Sequence, residues 1–158
     1  MKNGSHRARI LLVDDNANDV ELTLDAFHEV RLSNQIDVAR SGQEALDRLF
    51  NRTPRPDGGR EPLPDLILLD LKMPRVDGFE VLRQVKAAPV LRRIPVVVLT
   101  SSREEGDRAM TYDTGANSYL VKPVSFDGML EIVRKIADYW LTINVCPPLP
   151  DDDGEAPA

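Results

Sequence analysis

Asp14, Asp15, Asp70, Thr100 and Lys122 each stand at or just beyond the end of a short apolar run rich in Val, Ile and Leu. Three carboxylates, a hydroxyl and an ammonium form a set suited to handling a phosphoryl group and its metal. Gathered in a partly dehydrated crevice, Asp14, Asp15 and Asp70 would repel one another strongly, and folding would not bring them together without compensation. A divalent cation supplies it. Mg²⁺ is expected, because it takes hard oxygen ligands, keeps several waters and is typically held by one or two carboxylates plus a phosphate oxygen. Lys122 adds a point charge on a long stem, able to pair with Asp70 before reaction and with a phosphoryl oxygen afterwards. Thr100 offers a hydroxyl to another phosphoryl oxygen.

The elements that must position these residues alternate strand and helix. Strands are predicted over 9–14, 36–39, 66–70, 95–100 and 118–121. Helices follow each of them: one capped by Asn16 or Asn18, one capped by Ser41 and running through Leu49, one started by Asp77 and stopping near Pro89, one over 104–114 ended by Gly115, and one over 125–141. Residues 51–64, rich in Pro and Gly, read as a long loop. Five such units imply an α/β fold with a parallel sheet covered by helices on both faces. The strand ends then lie along the sheet edge that carries the ligand crevice in open α/β folds.

Composition narrows the function. The 158 residues, 42% apolar, support one well-packed domain. A net charge of −6 with no basic face gives no phosphate-backbone partner, so no nucleic acid is expected. No apolar stretch reaches the roughly 18 residues that span a bilayer, and the polar start lacks the core of a secretion signal. With the single Cys146 unable to form an intramolecular disulfide, a reduced, cytoplasmic location and no membrane association are expected. Residues 1–7 read as a disordered leader, 8–145 as the domain, and 146–158 as a disordered, acidic, Pro-rich tail.

The segments LLVDD, DLILLDLKMPRVDG, PVVVLTSS and YLVKP closely resemble the receiver domains of two-component response regulators, over roughly residues 8 to 141. That resemblance implies a flavodoxin-like, doubly wound five-stranded sheet in the order 2-1-3-4-5. It implies a phosphoacceptor that helps its own transfer and hydrolysis, not an enzyme with a separate substrate. Asp70 would take phosphate from a phosphohistidine on a sensor kinase, Asp15 would bind Mg²⁺ directly, Asp14 would act through a metal-bound water, and the Lys72 carbonyl would complete the protein ligands. Lys122 and Thr100 would grip the phosphoryl group. The bond from Lys122 to Pro123 is often cis in this family, and Tyr119 matches its switch aromatic. Lys72, two residues after Asp70, stands where family side chains tune water access to the acyl phosphate. Within receivers the chain is most similar to the regulators of phytochrome-type light-sensing kinases, through DDNANDVELT, the long loop and the late Tyr139-Trp140-Leu141.

Taken singly, each signal has a plainer reading: paired aspartates cap helices, a threonine ends a strand, a lysine is solvated. Their joint occurrence at four strand ends carries the functional one. A phosphatase with a second aspartate two residues after its nucleophile would need a carboxylate where Lys72 stands, and a glycine phosphate loop is missing. The remaining competitor is a receiver fold acting only as a protein-binding scaffold.

The last helix is apolar around roughly 200° of its wheel, more than one helix usually buries. Phe126, Leu130, Val133, Ala137, Trp140 and Leu141 form the predicted core stripe. Met129, Ile132, Ile136, Tyr139 and Ile143 form a second stripe, predicted to be the interface of a symmetric homodimer. With only 17 residues after Leu141, the signal is expected to leave through protein contacts.

Overall fold

Apolar runs without polar alternation belong to strands covered on both faces. In the structure, a computed structural model that describes residues 8–30, 34–52, 54, 56–145 and 147–149, two such runs are buried at every position: β3 (Leu66–Leu69) and β4 (Val96–Thr100). With β1 (Ala8–Val13), β2 (Asn34–Ala39) and β5 (Ser118–Val121) they form one sheet. All pairings are parallel, and the order is β2-β1-β3-β4-β5, the expected one. Register aligns the strand ends: Val13 lies beside Leu69, Leu69 beside Val98, and Thr100 beside Val121.

The period of two along each strand divides the core. Leu11, Val13, Ile67, Leu69, Val96 and Val98 meet side chains of α2 (Gly42–Phe50) and α3 (Gly78–Ala87) on one face. Ile10, Leu12, Leu66, Leu68, Val97 and Leu99 meet α1 (Ala17–Val30) and α5 (Phe126–Asp138) on the other. The fourth helix, α4 (Glu105–Thr114), packs beside α3 and β5.

Capping chemistry sets the helix starts. The Ser41, Asp77 and Ser125 side chains accept hydrogen bonds from the backbone N–H of Glu44, Glu80 and Gly128. Of the two asparagines expected to cap α1, Asn16 is the cap, accepting from Asp19 N–H at 3.0 Å, and Asn18 lies inside the helix. Gly115 ends α4 at φ 113°, a left-handed conformation open to glycine.

Three expectations need correction. First, α5 stops at Asp138, and Tyr139–Ile143 continues as a wider π turn closed by Asn144 N–H on the Tyr139 carbonyl at 2.6 Å. Second, the buried face of α5 centres between the two predicted stripes: Met129, Val133, Ile136 and Ala137 are buried while Phe126 is exposed. The helix leans on α1 and shares a buried cluster with residues of β1, β3 and β4, so Met129 and Ile136 belong to the core and not to an interface. Ile132 is half-buried and Tyr139 exposed; the Ile143 side chain lies outside the described residues. Third, the predicted tail does not begin where expected. Pro148 accepts a hydrogen bond from Arg93 Nη1 at 3.2 Å and Leu149 packs on the core, an apolar contact that offsets the ordering of 147–149. Residues 1–7, 146 and 150–158 lie outside the described residues.

The 51–64 loop folds on itself through an antiparallel bridge between Pro54 and Arg60, with buried Arg52 donating to the Glu61 carbonyl at 3.1 Å. No described peptide bond is cis, so Lys122 to Pro123 is trans; either isomer is accessible before proline, where the intrinsic preference is small.

Candidate functional site

Pairing of β1 with β2 and β3 carries the acidic residues to one place. Asp14 N–H donates to the Ala39 carbonyl at 3.0 Å and Asp70 N–H to the Val13 carbonyl at 2.9 Å, so both leave adjacent strands in parallel. Asn16 N–H fixes one oxygen of Asp14 at 3.0 Å. One carboxylate oxygen from each of Asp14, Asp15 and Asp70 lies within 4.8 Å of the others. Asp14 is 2% and Asp70 6% exposed, whereas Asp15 faces solvent. Behind them the chain turns back tightly: Gly78 N–H reaches the Leu71 carbonyl at 2.9 Å, and a Cβ on Gly78 would lie 2.1 Å from the Asp70 carbonyl oxygen. Only glycine fits that approach.

Lys122 enters from β5, its N–H bonded to the Thr100 carbonyl at 2.7 Å. Its Nζ lies 2.7 Å from Asp14, 2.8 Å from Asp19 and 3.4 Å from Asp70, with the side chain 8% exposed. The expected pairing with Asp70 is therefore the longest of three contacts. The ammonium sits nearer Asp14, the most deeply buried carboxylate, and is shared with Asp19, which sequence reasoning missed. An aspartate in the first turn of a helix reads as a partner of the helix dipole; only the cap at Asn16 hinted which way it would face. Burial works against the charged form of Lys122, but the hydrogen bonds it donates to Asp14 and Asp19 and the charges of Asp14 and Asp70 outweigh it and hold the ammonium above the usual lysine range. Burial likewise raises Asp14 above the usual carboxylate range, with Lys122 and the Asn16 N–H opposing.

Thr100 is fully buried at the end of β4, its Oγ1 accepting from Ser102 N–H at 3.3 Å. Tyr119 is half-buried on β5 and donates its hydroxyl to the Ser102 carbonyl at 2.9 Å. The exposed side chain of Lys72 turns to Asp107 of α4 at 3.1 Å and passes over the Phe79 ring.

Three carboxylates pair with the Lys122 ammonium, Asp15 adds a fourth beside two of them, and Asp70 Oδ1 is buried without a hydrogen-bond partner among the described residues. A buried anionic oxygen left so is costly. The oxygen-only donor set fits a hard divalent cation, so Asp14, Asp15 and Asp70 are suited to hold one.

A 2-1-3-4-5 parallel sheet, with clustered aspartates and a lysine at the carboxyl ends of its strands, defines a phosphoacceptor switch. Residues 10–134 match the response regulator receiver domain, and the chain belongs to that family. It is 44% identical over 138 residues to a probable methanogenesis regulatory protein, FilR2, of Methanothrix harundinacea, covering 87% of this chain and 86% of that one. It is 36% identical over 138 residues to the response regulator Rcp1 of Synechocystis, covering 87% and 92%. Rcp1 in its Mn²⁺-bound form superimposes with a TM-score of 0.79 at 35% identity, over 89% of this chain and 99% of that one. The phosphorylated cyanobacterial phytochrome response regulator RcpA gives 0.81 at 36% identity, over 90% and 100%. The protein is a two-component response-regulator receiver related to phytochrome-linked regulators. Among the described residues no helix is long and apolar enough to cross a membrane.

Proposed function

We propose that Asp70 accepts a phosphoryl group from the phosphohistidine of a sensor kinase in a Mg²⁺-dependent reaction. The observation that carries this reading is the buried Asp70 Oδ1, without a partner among the described residues, beside two further carboxylates and the Lys122 ammonium. The carboxylate oxygen forms a bond to phosphorus as the phosphorus–nitrogen bond to imidazole breaks, and the electron pair returns to the ring nitrogen. Asp14, Asp15, Asp70 and the Lys72 carbonyl would hold Mg²⁺, which when bound neutralises charge gathering on the phosphoryl oxygens. Lys122 is already oriented by Asp14 and Asp19, so the ammonium needs little reorganisation to meet the added charge. The Thr100 hydroxyl takes another phosphoryl oxygen, and Tyr119, fastened to the same loop at Ser102, reads that movement at the surface.

Likeness to RcpA and Rcp1 supports a phytochrome-type photoreceptor kinase as the phosphate donor. Acetyl phosphate with Mg²⁺ tests the reaction itself: intact mass should gain one phosphoryl group, and the gain should vanish in EDTA. No gain in either condition would leave the scaffold reading.

We also propose a homodimer through the end of α5, on a smaller surface than the sequence suggested. It rests on Ile132, Tyr139 and Trp140, which with Leu120 of the edge strand β5 line a groove of about 210 Å³. The mass in solution at micromolar concentration should be that of a dimer and should halve in Tyr139→Glu. A wild-type monomer would end the proposal.

A further inference from the structure

The three carboxylates around the Lys122 ammonium are not alike. Asp14 lies at 2.7 Å, Asp19 at 2.8 Å and Asp70 at 3.4 Å. The side chains of Asp14 and Asp70 are 3% and 7% exposed, whereas that of Asp19 is 35% exposed. Asp14 and Asp70 belong, with Asp15, to the oxygen cluster suited to a divalent cation, and Asp19 stands outside it.

Backbone contacts hold Asp19 in place. Its N–H donates to the Asn16 side chain at 3.0 Å, and its carbonyl accepts from the buried Thr23 hydroxyl at 2.8 Å. Asn16 also donates its own N–H to Asp14 at 3.0 Å, so one residue fixes both near partners of Lys122. An acid in the first turn of a helix ordinarily serves the free N–H groups of the helix start. This one instead accepts from the lysine that follows β5. The anion is thus fixed, and the cation, on its flexible stem, is the part able to move.

We propose that Asp19 is a positioning residue that acts through Lys122: it is the partner the ammonium gives up when a phosphoryl group arrives on Asp70, and by competing for that ammonium it limits how tightly the phosphorylated centre is held. This rests on the reading that Asp70 is the phosphoacceptor. A phosphoryl group carries more negative charge than the carboxylate it modifies and brings three acceptor oxygens, so it draws Lys122 toward Asp70 and shortens the longest of the three contacts. Asp14 shares the cluster with Asp70 and stays within reach, while Asp19, outside that cluster, is left behind. Energy points the same way. Stranding Asp14 in the interior is costly, whereas the half-exposed Asp19 is released to water.

Beryllium fluoride with Mg²⁺ sets fluorides around a beryllium bonded to a carboxylate oxygen, where phosphoryl oxygens would stand, and calorimetry reads its dissociation constant without turnover. Wild type should bind it and Asp70→Asn should not. Asp19→Asn should bind it about fivefold more tightly, the scale of one partly exposed charge pair. Glu21→Gln, which removes an exposed charge two residues along the same helix, should leave the constant unchanged. In a Lys122→Met background, adding Asp19→Asn should change nothing, because no ammonium is left to compete for. If Asp19 served only α1, Asp19→Asn would melt earlier yet bind beryllium fluoride as wild type does, which overturns the proposal alone. Weaker binding would make Asp19 a support for Lys122, and equal tightening in Glu21→Gln would reduce the effect to net charge; either result also overturns it. Wild type that binds no beryllium fluoride, or Asp70→Asn that does, refutes the phosphoacceptor reading and this inference with it.

Discussion

Asp70→Asn should take up no phosphate from acetyl phosphate and Mg²⁺, and should melt about 3 °C above wild type in the absence of divalent cation. The first result follows from the chemistry: an amide nitrogen is no nucleophile for phosphorus, and Asp14, 2% exposed, is already committed to Lys122 and the Asn16 N–H. The second follows from electrostatics. Asp70 is 6% exposed, lies in a cluster with Asp14 and Asp15, and has one oxygen without a partner among the described residues. Removing its charge relieves like-charge repulsion at low dielectric, offset in part by the loss of the 3.4 Å contact to Lys122. A net gain of about 1 kcal/mol is expected, and for 150 to 250 residues that moves the midpoint by roughly 2–4 °C. Mg²⁺ should stabilise wild type more than the variant, since it binds the folded carboxylate cluster and not the unfolded chain. Intact mass and calorimetry with and without EDTA read both effects. Phosphate uptake by the variant would move the acceptor elsewhere, and a lower midpoint would mean that the clustered charges are not under strain.

The parts of this site visible in the sequence are those fixed by strand ends. Asp14, Asp70, Thr100 and Lys122 each end or follow an apolar run that reads as a parallel strand, and parallel topology leaves such residues one edge to occupy. Asp19 and Asp107 were not visible because they sit on helices. A carboxylate in the first turn of α1 or α4 is ordinary by composition, and its direction depends on where the cap and the packing turn the helix. Asp107 is found only when Ser102 and Lys72 are brought to it by the β4 to α4 loop and the loop after Asp70. The same limit explains α5. A wheel shows how wide an apolar face is but not which part of it the neighbours cover; α1 and the sheet together bury Met129 and Ile136 and leave Phe126 outside. Leu149 is a further case, since one apolar residue in a proline-rich stretch carries no periodicity to announce that it packs.

Lys122→Met should lose about 3 kcal/mol of stability in EDTA and slow phosphate uptake roughly a hundredfold. Methionine fills similar space, so the loss is electrostatic. Without the ammonium, Asp14 and Asp70 remain buried with no compensating charge, and breaking a buried pair on one side typically costs about 3–5 kcal/mol. The lower end applies because Asp19, whose side chain is 35% exposed, is solvated once released. The pH dependence follows from the raised affinity of Lys122 for its proton. A base held above its ordinary value of 10.5 contributes stability that is full below that pH and is lost as pH rises through the raised value. Wild type should therefore lose stability in strong alkali where the variant shows no corresponding fall, so the gap between their denaturation curves narrows there. Added Mg²⁺ should recover much of the variant's stability, because the cation meets the same carboxylates, but little of its rate, because Lys122 is the positive side chain placed to follow the charge as it moves onto the phosphoryl group. Recovery of both would make Lys122 a structural counter-charge with no part in the transfer.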